Sequence, residues 1–184
     1  MVDLLPFLTS IIGLRDPHAK AHSNHVMELS SAFGQNVRLT SAQIETLGFA
    51  ANIHDIGKVA INEFIISKPG RFTEAEYLMV QHHAELGAHL METLAIDPVI
   101  PLILRHHHEN FDGSGYPDKL KGDQIPLEAR IIRITDTYDA LTNNRGYRPA
   151  YSQKKALSIM EQDSAFFDPD LLNLFFKMQR RKKQ

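Results

Sequence analysis

Helix-start signals recur along this chain, and no stretch between them alternates apolar and polar residues with the period of a strand. Asp16-Pro17 reads as an N-cap followed by proline at the first helical position, opening a helix to about Phe33 that ends near Gly34. Thr40 with Gln43 forms a capping box for a helix carrying Ile44, Leu47, Ala51 and Ile53 to His54. Thr73 with Glu76 forms a second box and predicts one helix to about Leu94. Asp97-Pro98 starts a helix that reaches a run of histidines, and the Gly-, Pro- and Asp-rich residues 110–126 predict a loop. Helices are expected at roughly 127–142 and 152–162, and Asp168-Pro169 caps a last one. The 184 residues suffice for one domain with its own core. The expectation is a single all-α domain, a bundle of about seven helices.

Ten residues are histidine and none is cysteine. Without cysteine there are no disulfides, thiolate nucleophiles or cysteine zinc sites. The net charge of -2 argues against a surface built to coat itself with a nucleic-acid polymer, so an anionic substrate must be drawn by local charge. No apolar run reaches the ~20 residues that span a bilayer. Met1-Val2-Asp3-Leu4-Leu5-Pro6 lacks the basic region and apolar stretch of a signal peptide. These features fit a cytoplasmic domain. The chain opens almost directly in structure and closes on Arg180-Arg181-Lys182-Lys183, a basic helix end favourable to the dipole. Residues 1–184 are expected to be one domain cut from a longer regulatory protein, membrane-associated or a response regulator, with a sensory domain upstream.

Two constellations carry chemistry. In Asn52-Ile53-His54-Asp55-Ile56-Gly57-Lys58, His54 and Lys58 are four apart on one helix face with Asp55 beside them. An imidazole next to a carboxylate can ligate one or two divalent metals, and Lys58 would add a cation near developing charge. A His-Asp dipeptide alone is common on surfaces. The second constellation, His106-His107-His108-Glu109-Asn110-Phe111-Asp112-Gly113-Ser114-Gly115-Tyr116-Pro117, is not. Three adjacent imidazoles are hard to place in an ordinary core, because each needs partners. Gly113 and Gly115 read as tight turns with positive φ, and Tyr116 as a phenol on a loop edge that can donate to a phosphate or stack on a base.

The two constellations together resemble the HD-GYP phosphodiesterases, a branch of the HD superfamily. The resemblance runs from Arg15-Asp16-Pro17 to Phe167-Asp168-Pro169 and includes Ser67-Lys68-Pro69-Gly70, Leu120–Pro126, Thr135–Thr142 and Arg145-x-Tyr147-Arg148. It implies a metal site gathered from five helices by His22, His54, Asp55, His83, His107, His108 and Asp136, with Asp55 bridging. Glu109 is expected to orient a ligand histidine. His82 and His106 are expected to point elsewhere, and His25 into solvent. Where trinuclear members carry a glutamate, this chain has His18, which brings no negative charge. The expected site is therefore binuclear, with His18 as the candidate ligand of a third ion.

The resemblance also implies Asp55 and Lys58 as catalytic residues and Tyr116, Arg145 and Arg148 as substrate contacts. Asn143-Asn144-Arg145-Gly146 departs from the usual Ser-Asp-Arg-Pro, which loosens the turn under Arg145. The implied reaction is metal-dependent hydrolysis of the 3′–5′ phosphodiester of cyclic di-GMP to the linear dinucleotide and on to GMP. Alternatives left open are mixed cyclic GMP-AMP as substrate, or a non-catalytic module that binds a cyclic dinucleotide. The Asp112–Pro117 loop counts against a generic HD nucleotidase. Nitrogen and oxygen ligands suit iron, manganese, nickel or zinc, and the resemblance favours iron or manganese. Two partners are compatible with it: a diguanylate cyclase (GGDEF) domain docked at the Gly-Tyr-Pro loop, and a second copy packed on the N-terminal helices as a homodimer.

Overall fold

The computed structural model describes residues 4–15, 17–94, 96–144 and 149–181. Among these, every regular element is helical: α1 (Leu4–Arg15), α2 (Pro17–Asn36), α3 (Ser41–Ile53), α4 (Glu63–Ile66), α5 (Glu74–Gln81), α6 (His83–Glu92), α7 (Val99–His106), α8 (Leu127–Thr142), α9 (Gln153–Gln162) and α10 (Pro169–Arg181). Short 3-10 turns cover Ile56–Ala60, Gly122–Gln124 and Ser164–Phe166. The all-α expectation holds. The helices beyond the expected set are α1, the one-turn α4, and the second half of the helix opened by Thr73. No helix among the described residues is long and apolar enough to cross a membrane.

Both capping boxes form. Thr40 accepts from the Gln43 amide while the Gln43 side chain accepts from the Thr40 amide, and Thr73 and Glu76 do the same. Asp168 accepts from the amides of Asp170 and Leu171 to start α10. The Asp16 cap lies outside the described residues. The helix opened by Thr73 does not run unbroken to Leu94. It breaks at His82, and His83 restarts it as α6. The ring of His83 bonds the Val80 carbonyl at 2.6 Å, competing for an oxygen that a continuous helix would give to the backbone four residues on. Nor does α2 stop at Gly34. That glycine lies inside the helix, where an added Cβ would sit 3.1 Å from Leu47, and Arg38 makes the turn instead with φ of 64°. Gly34 serves close packing of α2 on α3, not termination.

The core forms where α2 packs against α3, α8 and α1, with α10 closing one end. Val26, Phe33, Leu47, Ile53, Ile131, Ile132 and Ile134 are wholly buried in it. Phe175 meets Phe33 and Tyr138 edge-to-face at 5.2 Å each. Polar pairs fix how the inner helices sit. Asn52 of α3 donates to Asn24 of α2 and accepts from Thr9 of α1. Ser30 of α2 and Thr135 of α8 share a buried 2.7 Å hydroxyl bond.

The second packing unit is α6 with α7 and the 3-10 turn after α3. Gly57 makes it possible. A Cβ there would lie 2.0 Å from the His83 carbonyl oxygen and 2.5 Å from the Gly87 amide nitrogen. Only glycine lets the turn carrying Asp55 and Lys58 lie directly on the first turn of α6. Gly57→Ala is therefore expected to destabilise the domain by about 1–3 kcal/mol, read as a lower thermal midpoint. It should also weaken metal uptake, because the same contact sets Asp55 against His83. An unchanged midpoint would show that the turn has room the geometry denies it.

Candidate metal centre

Five helices deliver the candidate ligands to one place. His22 projects from the middle of α2 and Asp136 from the middle of α8. His54 is the last residue in helical conformation after α3, and Asp55 follows at φ −94°, ψ 5°, where the chain tightens into the 3-10 turn. His83 opens α6. His107 closes α7, with His108 next. Helix ends dominate because a terminal residue can aim inward while the chain turns away. These side chains form two groups of possible ligands, Asp55–His83–His107–His108 and His22–His54–Asp136.

Asp55 stands between the groups. Its Oδ1 lies 3.3 Å from His83 Nε2, and its Oδ2 lies 3.5 Å from His54 Nε2 and 4.0 Å from His22 Nε2. Asp136 Oδ1 is 3.2 Å from His22 Nε2 and 4.0 Å from His54 Nε2. Lys58 Nζ donates to Asp55 Oδ2 at 2.6 Å.

Hydrogen bonds assign the tautomers. His54, His83 and His107 each place Nδ1 on the carbonyl three residues back, Ala51, Val80 and Leu104, at 2.8, 2.6 and 2.6 Å. An Nδ1–H donor leaves Nε2 as a bare lone pair on each ring. Two such lone pairs, on His83 and His107, then face each other at 3.3 Å with no proton to share. His54 Nε2 and Asp55 Oδ1 are buried with no hydrogen-bond partner among the described residues. Converging lone pairs around a buried carboxylate fit a cation and nothing else the chain supplies. All the donors are nitrogen or oxygen, a set suited to divalent transition metals.

The electrostatics agree. Burial opposes charge on Asp55, but Lys58 and the surrounding histidines outweigh it and hold the carboxyl well below the usual range. Burial likewise opposes Asp136, and its bond to His22 more than compensates. Burial, aided by the Lys58 charge, pushes His83 down to about 4. Burial and neighbouring imidazoles take His107 and His108 well below normal. His22 goes the other way: burial pulls it down, but Asp136 and Asp139 raise it to about 9.

Asp139 is a residue the sequence reading did not single out. Its Oδ2 takes His22 Nδ1 at 2.6 Å and turns Nε2 toward Asp136. The spacing Asp136-x-x-Asp139 puts both carboxylates on one face of α8, and that was the signal available. Its Oδ1 lies 3.6 Å from His25, which is otherwise exposed. His82 and His106 do point elsewhere, to Glu85 and Asp118. Glu109 bonds no histidine of the site. Its Oε1 accepts from the Asp118 amide and pins the loop instead. His18 is exposed on α2 and belongs to neither ligand group.

The loop after His108 is built by close approach. Gly113 has φ of 86°, as expected, but Gly115 is not in the positive-φ region. It is glycine because a Cβ would lie 2.3 Å from the Asn110 amide nitrogen and 2.6 Å from the His108 oxygen. Tyr116 stacks on His108 with ring centres 4.9 Å apart, and burial pushes its hydroxyl above the ordinary range, so it remains a donor. Arg145 and Arg148 lie outside the described residues. A cavity of about 260 Å³ opens onto the ligands, lined by His22, Asp55, Lys58, His108, Arg133 and Asp136 among others. A wider groove of about 640 Å³ on the outer side of α6 contains none of the candidate ligands.

The family model for the HD domain matches residues 6–171. The chain belongs to the HD domain family. Among its HD-domain relatives, a cyclic di-GMP phosphodiesterase of Pseudomonas aeruginosa is 34% identical over 92% of this chain and 42% of its own length. A 3′3′-cGAMP-specific phosphodiesterase of Vibrio cholerae is 36% identical over 83% of this chain and 33% of its own. The chain thus spans less than half the length of these two curated relatives. In fold it matches an HDG"Y"P protein from Bdellovibrio bacteriovorus with a TM-score of 0.69 at 17% identity, over 86% of this chain and 51% of that one.

Two expectations follow. Asp139→Ala should leave the fold intact and weaken metal affinity about 10- to 100-fold by freeing the His22 ring, measured by competition with a chromophoric chelator. Equal affinity would show that His22 needs no orienting. Separately, in the metal-free HD domain at neutral pH, His83, His107 and His108 are already neutral while His22 holds a proton. Metal binding must expel it. Affinity should therefore rise with pH until about 9, the pKa of His22. Calorimetry in buffers of different ionisation enthalpy should count the released proton.

Proposed function

We propose that this HD domain hydrolyses the 3′–5′ phosphodiester of a cyclic dinucleotide, cyclic di-GMP first, to the linear dinucleotide and then to GMP. The observation that carries the reading is Asp55, which belongs to one ligand group, turns its other oxygen to within 4.0 Å of His54 and His22 of the second, and lines a cavity with Lys58. Two divalent ions, iron or manganese, would be held by His22, His54 and Asp136 in one group and by Asp55, His83, His107 and His108 in the other. His18 lies in neither group, which supports the reading of two ions over three. When bound, the ions supply Lewis-acid activation of water and an electrostatic grip on phosphate.

The chain's own residues do the rest. Asp55 holds the Lys58 ammonium at 2.6 Å and so fixes a cation at the cavity wall, where charge gathers on the phosphoryl oxygens during attack. The protonated Tyr116 hydroxyl, braced on His108, offers a hydrogen bond to substrate. Arg145 and Arg148 are proposed as further phosphate contacts. The domain is proposed to work in the cytoplasm as part of a longer protein. A GGDEF domain at the Gly-Tyr-Pro loop and a second copy at the N-terminal helices are the partners proposed for it.

The second reading is mixed cyclic GMP-AMP, favoured by the relative named for that substrate at 36% identity. Both readings meet one experiment. Anaerobically purified, metal-loaded protein is given each nucleotide and the products are resolved by chromatography. Cleavage of cyclic di-GMP is expected, with Lys58→Ala lowering kcat about 10²- to 10³-fold at unchanged metal content. Cleavage of the mixed dinucleotide alone would replace the substrate and keep the chemistry. Stoichiometric binding of either without product would sink the enzymatic reading.

A further inference from the structure

Arg133 is the cavity residue for which the metal site has no use. It lies on α8, three residues before Asp136, and shares the cavity with Lys58, His108 and Asp136. Two of its nitrogens are committed. Nε donates to Asn110 Oδ1 at 3.0 Å and Nη1 to Thr137 Oγ1 at 2.7 Å. The guanidinium carbon sits 5.4 Å from the Phe167 ring centre. Nη2 has no hydrogen bond among the described residues.

What distinguishes Arg133 is the kind of partner. Arg130 is neutralised by Asp123 and Asp168, and Arg105 by Asp118 and Glu85. Arg133 forms no ion pair among the described residues, since both its partners are uncharged oxygens. It is held in position by uncharged oxygens, with no carboxylate in direct contact, so Nη2 keeps its charge-assisted donor for the cavity. A strut joining α8 to the Asn110 loop would need only the two bonds already made. It would not require a third nitrogen left open on a charged group.

We infer that Arg133 binds a non-bridging oxygen of the substrate's phosphodiester through Nη2, as a binding residue beside the metal ligands. A single free nitrogen suits one phosphate oxygen. Reading a guanine edge would take two donors from the same fork. Asn110 and Thr137 act as positioning residues that present the third. The inference rests on the reading of the site as a phosphodiester site, but not on which dinucleotide is bound.

The test compares metal-loaded wild type with Arg133→Ala and Arg133→Lys. Affinity for inorganic phosphate is measured by calorimetry, alongside kcat and KM for cyclic di-GMP and for bis(p-nitrophenyl) phosphate. Arg133→Ala is expected to weaken phosphate about 10- to 100-fold, the range for a hydrogen bond to a charged group, with KM raised and metal content unchanged. Arg133→Lys keeps a charge and should retain part of the affinity, which decides the matter should the alanine variant fold poorly. Phosphate affinity within about twofold of wild type in a folded, metal-replete variant overturns the inference. A wild type inert toward dinucleotides whose phosphate binding still depends on Arg133 would refute the substrate reading and leave this inference standing.

Discussion

Everything in this domain is arranged around a carboxylate that ought not to be where it is. Asp55 is buried and charged, and it is flanked by imidazole lone pairs rather than by donors. Lys58 satisfies Oδ2, but Oδ1 has no hydrogen-bond partner among the described residues. Asp136 adds a second buried carboxylate a few ångströms away. Charges removed from water without full pairing weigh against the folded state by several kcal/mol each. The five helices tolerate this only because the hydrophobic contacts behind them hold the framework. The phenylalanine pair at Phe33 and Phe175 and the isoleucines of α8 are parts of that support. Divalent cations relieve the conflict directly, which couples metal occupancy to stability.

The two halves of the site are oriented by different means, and that makes them chemically unequal. Backbone carbonyls fix the rings of His54, His83 and His107. A carboxylate, Asp139, fixes His22. The group of His83, His107 and His108 with Asp55 is rich in neutral nitrogen. The group of His22 and His54 with Asp136 has fewer ligands and more negative charge around it. Both groups have a member in the cavity wall, His108 in the first and His22 and Asp136 in the second. Three protein ligands would leave positions for water or substrate on an ion held there, as in metal sites that do chemistry rather than hold structure.

Much of this was legible in the sequence, for physical reasons that can be named. The capping boxes at Thr40 and Thr73 are local interactions between residues three apart, so the sequence determines them without help from the fold. The histidine run was legible because imidazoles are hard to satisfy in a core. What escaped was whatever depends on distance. Asp139 gains its meaning from His22, 117 residues away. Gly57 is glycine because the backbone of α6, some 26 residues on, would lie within 3 Å of a Cβ there, and nothing in its neighbours announces that. The break at His82 escaped because the interruption comes from where the His83 ring binds, not from a proline or glycine. Glu109 misled in the same way. It is adjacent to the ligand histidines in sequence, yet it faces the loop that the Asp118 amide closes.

Charge and volume together say where selectivity must lie. The chain's net charge is -2, so no general field draws in an anion. Local positive charge comes instead from Lys58 and Arg133, which line a small cavity with the candidate ligands. That cavity, about 260 Å³, is smaller than a pocket that encloses a whole drug-sized ligand. Groups that meet only phosphate cannot tell guanine from adenine, because the phosphodiester is the same in both. On the proposed function, base preference is set outside this cavity, by residues that can vary without disturbing Asp55 and its histidines.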